Sequence, residues 1–268
     1  MMETIFDKID DKVVQNLSEH PEAFNDTRYL KTSAEPASAA VQADSCNRTP
    51  INVPLTPQII AALNLGLVAE YLETEFYSIG LNTPGLIPNE LRLVFTRILL
   101  NEVGHREILL TVLGSSAIPK PAFDFTRVVP DVFESFNSFT GVGQAFEDNG
   151  VRAYKGQVPN IMADDFILTT GARFHSVEAR HASELRRIRG QKGWITLNSR
   201  GDLPGIFQGV YDGEENTVQA GINLVALTGY SAATVSEAFD EPLTAAQVMA
   251  NVQPFIGRRF NPLDLFIR

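Results

Sequence analysis

The chain has one cysteine, Cys46, in 268 residues, so an intrachain disulfide is excluded. It has no run of 18 apolar residues, so no membrane span is expected. Its first ten residues, Met1 to Asp10, lack a basic start followed by an apolar run, so no secretory signal is visible. A cytoplasmic location is the expectation. No lysine or arginine cluster stands out, and the net charge is −10. That argues against nucleic acid or an anionic membrane as partner, and a negative field concentrates cations instead. Histidine is scarce too, with four in the chain.

Two of those four histidines stand in the same pattern. Glu-x-x-His occurs at Glu102/His105 and again at Glu178/His181. A lone glutamate precedes each copy, Glu70 by 32 residues and Glu147 by 31. Seven residues after each lone glutamate comes a tyrosine, Tyr77 or Tyr154. One Glu-x-x-His is common on a solvated helix face. Two copies with matching upstream residues supply four carboxylates and two imidazoles, the donor set of a carboxylate-bridged two-metal centre in a four-helix bundle.

Local signals place these residues on helices. Thr56-Pro57 opens a first helix, with Thr as N-cap and Pro at the first position, running to about Leu81. A second covers about Asn89 to Leu113 and ends at Gly114. Residues 115–136, with Pro119, Pro121 and Pro130, read as a crossing connection. A third helix covers about 138–156, with Gly156 and Pro159 as its stop. A fourth covers about 161–189, with Gly190 as C-cap and a basic last turn suited to the helix dipole. On each helix a glutamate falls in the middle of an apolar stripe, for example Leu63, Leu67, Glu70, Thr74, Tyr77 and Leu81 on the first. Four ionised glutamates buried there without partners would cost many kcal/mol unless protons or cations intervene.

The heights agree. Glu70 lies about 15 Å from the end of the first helix, and Glu102 about 20 Å from the start of the second, so an antiparallel hairpin brings them level. The second hairpin does the same for Glu147 and Glu178. The connection between hairpins can span over about 50 Å, enough to cross the bundle and set the third helix antiparallel to the first. Each hairpin would give a terminal glutamate, a bridging glutamate and a histidine. Two divalent ions would balance four carboxylates, held roughly 3.5–4 Å apart. Oxygen-rich ligation with one imidazole per ion suits Fe or Mn and admits Zn. Tyr77 and Tyr154 are candidate catalytic residues, hydrogen-bonded to ligand carboxylates or giving up an electron. The alternative is a core tyrosine satisfied by any acceptor. His175 reads as a satisfied or partly exposed histidine. Glu73 and Glu75 read as solvent-facing, with Glu73 as the one substitute ligand. Cys46 receives no role.

The runs LVAEYLETEFYSIGL (67–81), NEVGHREILLTVLG (101–114), FEDNGVRAYKGQ (146–157) and FHSVEARHASELRRIRG (174–190) resemble the ferritin-like superfamily. Within it they are most similar to the branch of desiccation-related proteins, as is EAFDEPLT (237–244). The resemblance implies an all-α fold, a four-helix bundle of two antiparallel hairpins with a long crossover, and metal ligands at Glu70, Glu102, His105, Glu147, Glu178 and His181. It leaves the activity open, because members share the site and not one reaction. Three readings follow: a di-iron or di-manganese redox enzyme acting on dioxygen or peroxide, catalase-like or ferroxidase-like; a non-catalytic stress protein stabilised by metal; and iron storage. Storage fits poorly with an arm at 1–55 and the 78 residues after Gly190. The expected organisation is an N-terminal arm and linker (1–55), the bundle (56–190) and a loop-rich extension (191–268) packing on the bundle or a dimer contact. In the extension one short helix is legible, from near Thr244 to Pro254. A homo-oligomer such as a dimer is expected.

Overall fold

The computed structural model describes residues 55–257. The expectations for the N-terminal arm and linker up to residue 54, for Cys46 and for the last eleven residues lie outside the described residues. Four long helices dominate: α1 (Pro57–Asn82), α2 (Arg92–Leu113), α3 (Phe136–Ile161) and α4 (Asp165–Ile188). Thr56 caps α1, its hydroxyl accepting from Ile59 N at 3.2 Å, with Pro57 at the first position. A 3-10 turn at Asn89–Leu91 leads into α2, which ends where Gly114 takes φ 53°. Asp164 caps α4 by accepting from Ile167 N at 2.9 Å.

Two expected boundaries shift. The fourth helix starts at Asp165, four residues later than expected, because Asp164 is the residue that caps it. The third does not stop at Gly156 but runs on to Ile161 with Pro159 inside it. A proline near the last turn deletes only one ladder donor and can be tolerated there. Gly156 is present for another reason. A Cβ at that position would lie 1.9 Å from the Leu243 carbonyl oxygen, so the helix surface is bare where another segment crosses it.

The helices pack as α1 against α2 and α3 against α4, with α1 and α3 joining the two pairs. Two crossed contacts, Tyr77 with Glu147 and Tyr154 with Glu70, show that α1 and α3 run antiparallel. An aromatic cluster closes one end of their interface. Phe76 stacks on Phe139 at 4.8 Å and meets Phe146 edge-on at 5.2 Å.

The extension after α4 wraps back over this framework. It carries α5 (Gln208–Tyr211), a two-residue-per-strand hairpin β1 (Val218–Gln219) and β2 (Ile222–Asn223), α6 (Leu224–Thr228), α7 (Ala232–Ser236) and α8 (Ala245–Val252). α8 is the helix legible in the sequence, opened by a capping box of Thr244 and Gln247. The shorter ones gave no periodic signal. Phe255 packs edge-on against Phe146 at 4.9 Å, and Leu243 N donates to the Arg152 carbonyl at 3.1 Å. Below them lies a buried charged network. Arg152, 1% exposed, pairs with Glu214 at 2.8 Å and donates to the carbonyls of Val210, Asp212 and Glu241. Arg186 forms a two-pronged pair with Asp148, at 2.6 and 2.5 Å. The basic end of α4 thus does more than complement a helix dipole. Arg186 is buried and paired, and Arg189 reaches Gln144 and Asp202. Among the described residues no helix is long and apolar enough to cross a membrane.

Candidate metal centre

Each long helix contributes to one polar cluster in the middle of the bundle. Glu70 comes from α1, Glu102 and His105 from α2, Glu147 from α3, Glu178 and His181 from α4. The four carboxylates have no exposure, and the two imidazoles are buried. Their donor atoms form two overlapping quartets: Glu70, Glu102, His105 and Glu178; and Glu102, Glu147, Glu178 and His181. Within each quartet the donors lie within 4.8 Å of one another. Glu102 and Glu178 belong to both. Glu70 and Glu147 each belong to one.

Both rings turn Nδ1 inward. His105 Nδ1 lies 3.0 Å from Glu178, 3.2 Å from Glu102 and 3.5 Å from Glu70. His181 Nδ1 lies 2.6 Å from Glu102 and 3.2 Å from Glu147. Each histidine therefore meets a carboxylate of the opposite hairpin at its shortest distance. His105 also sits against the glutamate one turn before it, Glu102. For His181 the near contacts are Glu102 and Glu147 instead. The outer nitrogen of His181 is held by Asn101 Oδ1 at 3.1 Å, which fixes the ring orientation. Phe174 lies against the His105 ring, with centroids 4.3 Å apart.

The tyrosines cross over. Tyr77 of α1 donates to Glu147 of α3 at 2.5 Å, and Tyr154 of α3 donates to Glu70 of α1. Glycines make room for both hydroxyls. A Cβ at Gly143 would meet the Tyr77 hydroxyl at 3.1 Å, and one at Gly66 the Tyr154 hydroxyl at 3.2 Å. Each of these glycines precedes its glutamate by four residues, so the repeated unit is Gly-x3-Glu-x6-Tyr. That longer repeat was readable in the sequence, as Asn101 was not. His175 spends its Nδ1 on the Val151 carbonyl at 2.9 Å, a satisfied histidine.

Glu73 corrects the sequence reading. It is not solvent-facing but 1% exposed. A single apolar stripe on α1 leaves Glu73 outside it, whereas α2, α3 and α8 surround that helix on several sides. Glu75 is half-buried and pairs with Lys120 at 2.5 Å.

Electrostatics show what the cluster lacks. Burial raises the Glu70 carboxyl to about 7, although His105 pulls against it. Burial and the neighbouring carboxylates push Glu178 and Glu73 well up. Glu102 goes the other way. Burial opposes its ionisation, but His181 and His105 hold it down to about 2. Both imidazoles are raised, the surrounding glutamates outweighing their burial. Without cations the cluster thus retains protons. Even so, Glu73 Oε2 and Glu178 Oε2 are buried without a hydrogen-bond partner, and Glu70 Oε2, Glu102 Oε1 and Glu178 Oε1 have only the ion-pair contact of an imidazole. Such orphaned acceptors are costly. Buried carboxylate and imidazole groups so arranged can bind metal ions, and the residues fit that role.

Two clefts lie beside residues of the cluster or their partners. One is apolar, lined by Leu63, Leu109, Ile167 and Phe174 together with Tyr154. The other is polar, with Arg97, Asn101, Arg180 and Glu184 around His181.

Comparison with curated proteins finds no match. A family model described as a ferritin-like domain matches residues 59–191, the stretch that runs from the first turn of α1 through α4 and holds every residue of the cluster. With the bundle and its buried carboxylate–imidazole cluster in place, residues 59–191 are similar in sequence and in architecture to a ferritin-like domain.

Proposed function

We propose that the cluster holds two divalent ions, Fe or Mn, and that the protein uses them in redox chemistry with dioxygen or peroxide. The observation that carries this is the pair of quartets sharing Glu102 and Glu178. Glu102 presents different oxygens to the two sides, Oε2 toward His105 and Oε1 toward His181, the disposition of a bridging carboxylate. Glu70 and Glu147 are then terminal ligands, and His105 and His181 give one nitrogen to each ion. Redox-active ions held there would supply electron exchange with dioxygen or peroxide. The chain's own residues do the rest. Tyr77 and Tyr154 orient the terminal carboxylates through their hydroxyls and keep protons within reach of the centre. Phe174 and the apolar cleft exclude water on the Tyr154 side. Asn101 holds the His181 ring. The assignment to the desiccation-related branch rests on the EYLETEFY and EAFDEPLT runs.

Elemental analysis of protein purified without added metal identifies the ions, and two per chain is expected. Metal-loaded protein is then assayed for peroxide consumption and ferrous oxidation. Turnover above that of the free metal supports the enzyme. Absence of turnover in both assays sinks it. A second reading, metals that only stabilise the bundle, is favoured by the unpartnered buried oxygens, which ions would satisfy. It requires a melting temperature that rises with metal while both assays stay silent.

A further inference from the structure

The site is built on a twofold repeat, yet one residue breaks it. Gly66, Glu70 and Tyr77 on α1 match Gly143, Glu147 and Tyr154 on α3 in spacing and contacts. Three residues after Glu70 stands Glu73. Three residues after Glu147 stands Gly150. The antiparallel helices bring these two positions face to face. A Cβ on Gly150 would meet Glu178 Oε2 at 3.3 Å and Glu73 Oε1 at 3.5 Å. Glu73 thus uses the room that the bare α3 backbone leaves, and its carboxylate and that of Glu178 both border the space where a Gly150 side chain would stand. Glu73 is 1% exposed, and its Oε2 has no partner. Glu178 Oε2 has none either. A buried acid kept for packing alone would sit at its neighbours' expense, since four carboxylates already crowd the cluster.

We propose that Glu73 is a seventh ligand of the centre and its fifth carboxylate, placed at the pivot of its repeat, and that it makes the two metal positions unequal. The six-residue set alone offers each ion the same donors: one terminal carboxylate, two shared ones and one imidazole. Glu73 has no counterpart, so the position it engages gains a donor that the other lacks. Glu178, the shared carboxylate it approaches, is the ligand it would supplement or replace. This inference rests on the two-metal reading above.

The test is titration of the apo protein with Mn(II), followed by calorimetry, beside the visible spectrum of the Co(II)-loaded form. Wild type should take up two ions in two resolved steps. Glu73→Gln should weaken the tighter step about tenfold or more and draw the two together. The Co(II) bands should strengthen, as they do when coordination number falls. Glu73→Asp keeps the charge but withdraws it by one methylene, and should behave like Glu73→Gln. It also serves if the amide variant folds poorly, which comparison of apo melting temperatures detects. Both constants and the spectrum unchanged in the variants would overturn the proposal. So would equal weakening of both steps, which would mark a diffuse field effect. If wild type binds no ion that His105→Ala or His181→Ala weakens, the two-metal reading itself fails, and this inference with it.

Discussion

Gly156→Ala opposes two effects of known sign. In an isolated helix the change stabilises, by about 1 kcal/mol, because alanine is the better helix former. Here the new methyl would stand 1.9 Å from the Leu243 carbonyl oxygen, and the atom approached is backbone, not a flexible side chain. The extension would have to lift by roughly 1.5 Å to reach ordinary contact. Lifting it breaks the 3.1 Å hydrogen bond from Leu243 N to the Arg152 carbonyl, a loss of about 1 kcal/mol. It also unseats Leu243, which is 1% exposed, at about 2 kcal/mol. The contact terms win, and the variant should be less stable by about 2 kcal/mol. Urea denaturation followed by far-UV circular dichroism measures this directly. Metal uptake should survive, because the cluster lies two turns away on α3. A variant more stable than wild type by about 1 kcal/mol would mean that the extension does not lie on α3, and the account of Gly156 would be wrong.

Three further outcomes are expected. Glu102→Ala should cost metal at both positions, while His105→Ala should weaken mainly one, read as bound ions per chain by elemental analysis. Asn101→Ala frees the outer nitrogen of His181 and should lower affinity for a single ion by about 10- to 100-fold in a Mn(II) titration, leaving the other unchanged. The apo protein should lose stability as pH rises from about 4.5 through 7. Glu70 has its folded value raised to about 7 from an ordinary 4.5, so its contribution is complete below 4.5 and gone above 7, about 3 kcal/mol for that shift. Glu102, held down to about 2, acts oppositely and loses its contribution only as pH falls toward 2. Thermal melts of apo protein from pH 5 to 8 should therefore fall, and those of Glu70→Gln should fall less. Metal reverses the slope, since binding releases these protons.

The four helices were legible because each carries an apolar stripe interrupted by one glutamate, with Thr56, Gly114 and Gly190 marking ends. The six clustered residues were legible because the pattern occurs twice at matching spacing, and the structure brings all six together. Glu73 was not. A helical wheel assigns one buried side, and α1 is covered on several. Gly156 looked like a stop because sequence shows glycine's weak propensity and not the backbone that crosses it. Asn101 carries no signal at all, since its role depends on which nitrogen His181 turns outward. The extension was illegible for a related reason. Its anchors are long-range: Arg152 donates to carbonyls from residues 210, 212 and 241, and these contacts leave no period in the sequence.

The exchanged tyrosines say something about how such a chain can arise. A single hairpin would leave its terminal glutamate without a hydroxyl donor and its histidine without the facing carboxylate. Two identical hairpins on a twofold axis would satisfy every one of these contacts, because each gives what it receives. The chain therefore carries within one polypeptide the contact pattern of a symmetric pair. Covalent joining adds one freedom that a symmetric pair never has. In identical copies, positions 73 and 150 would be the same residue, and two glutamates would collide at the axis or two glycines would leave it bare. Only a fused chain can place glutamate on one side and glycine on the other.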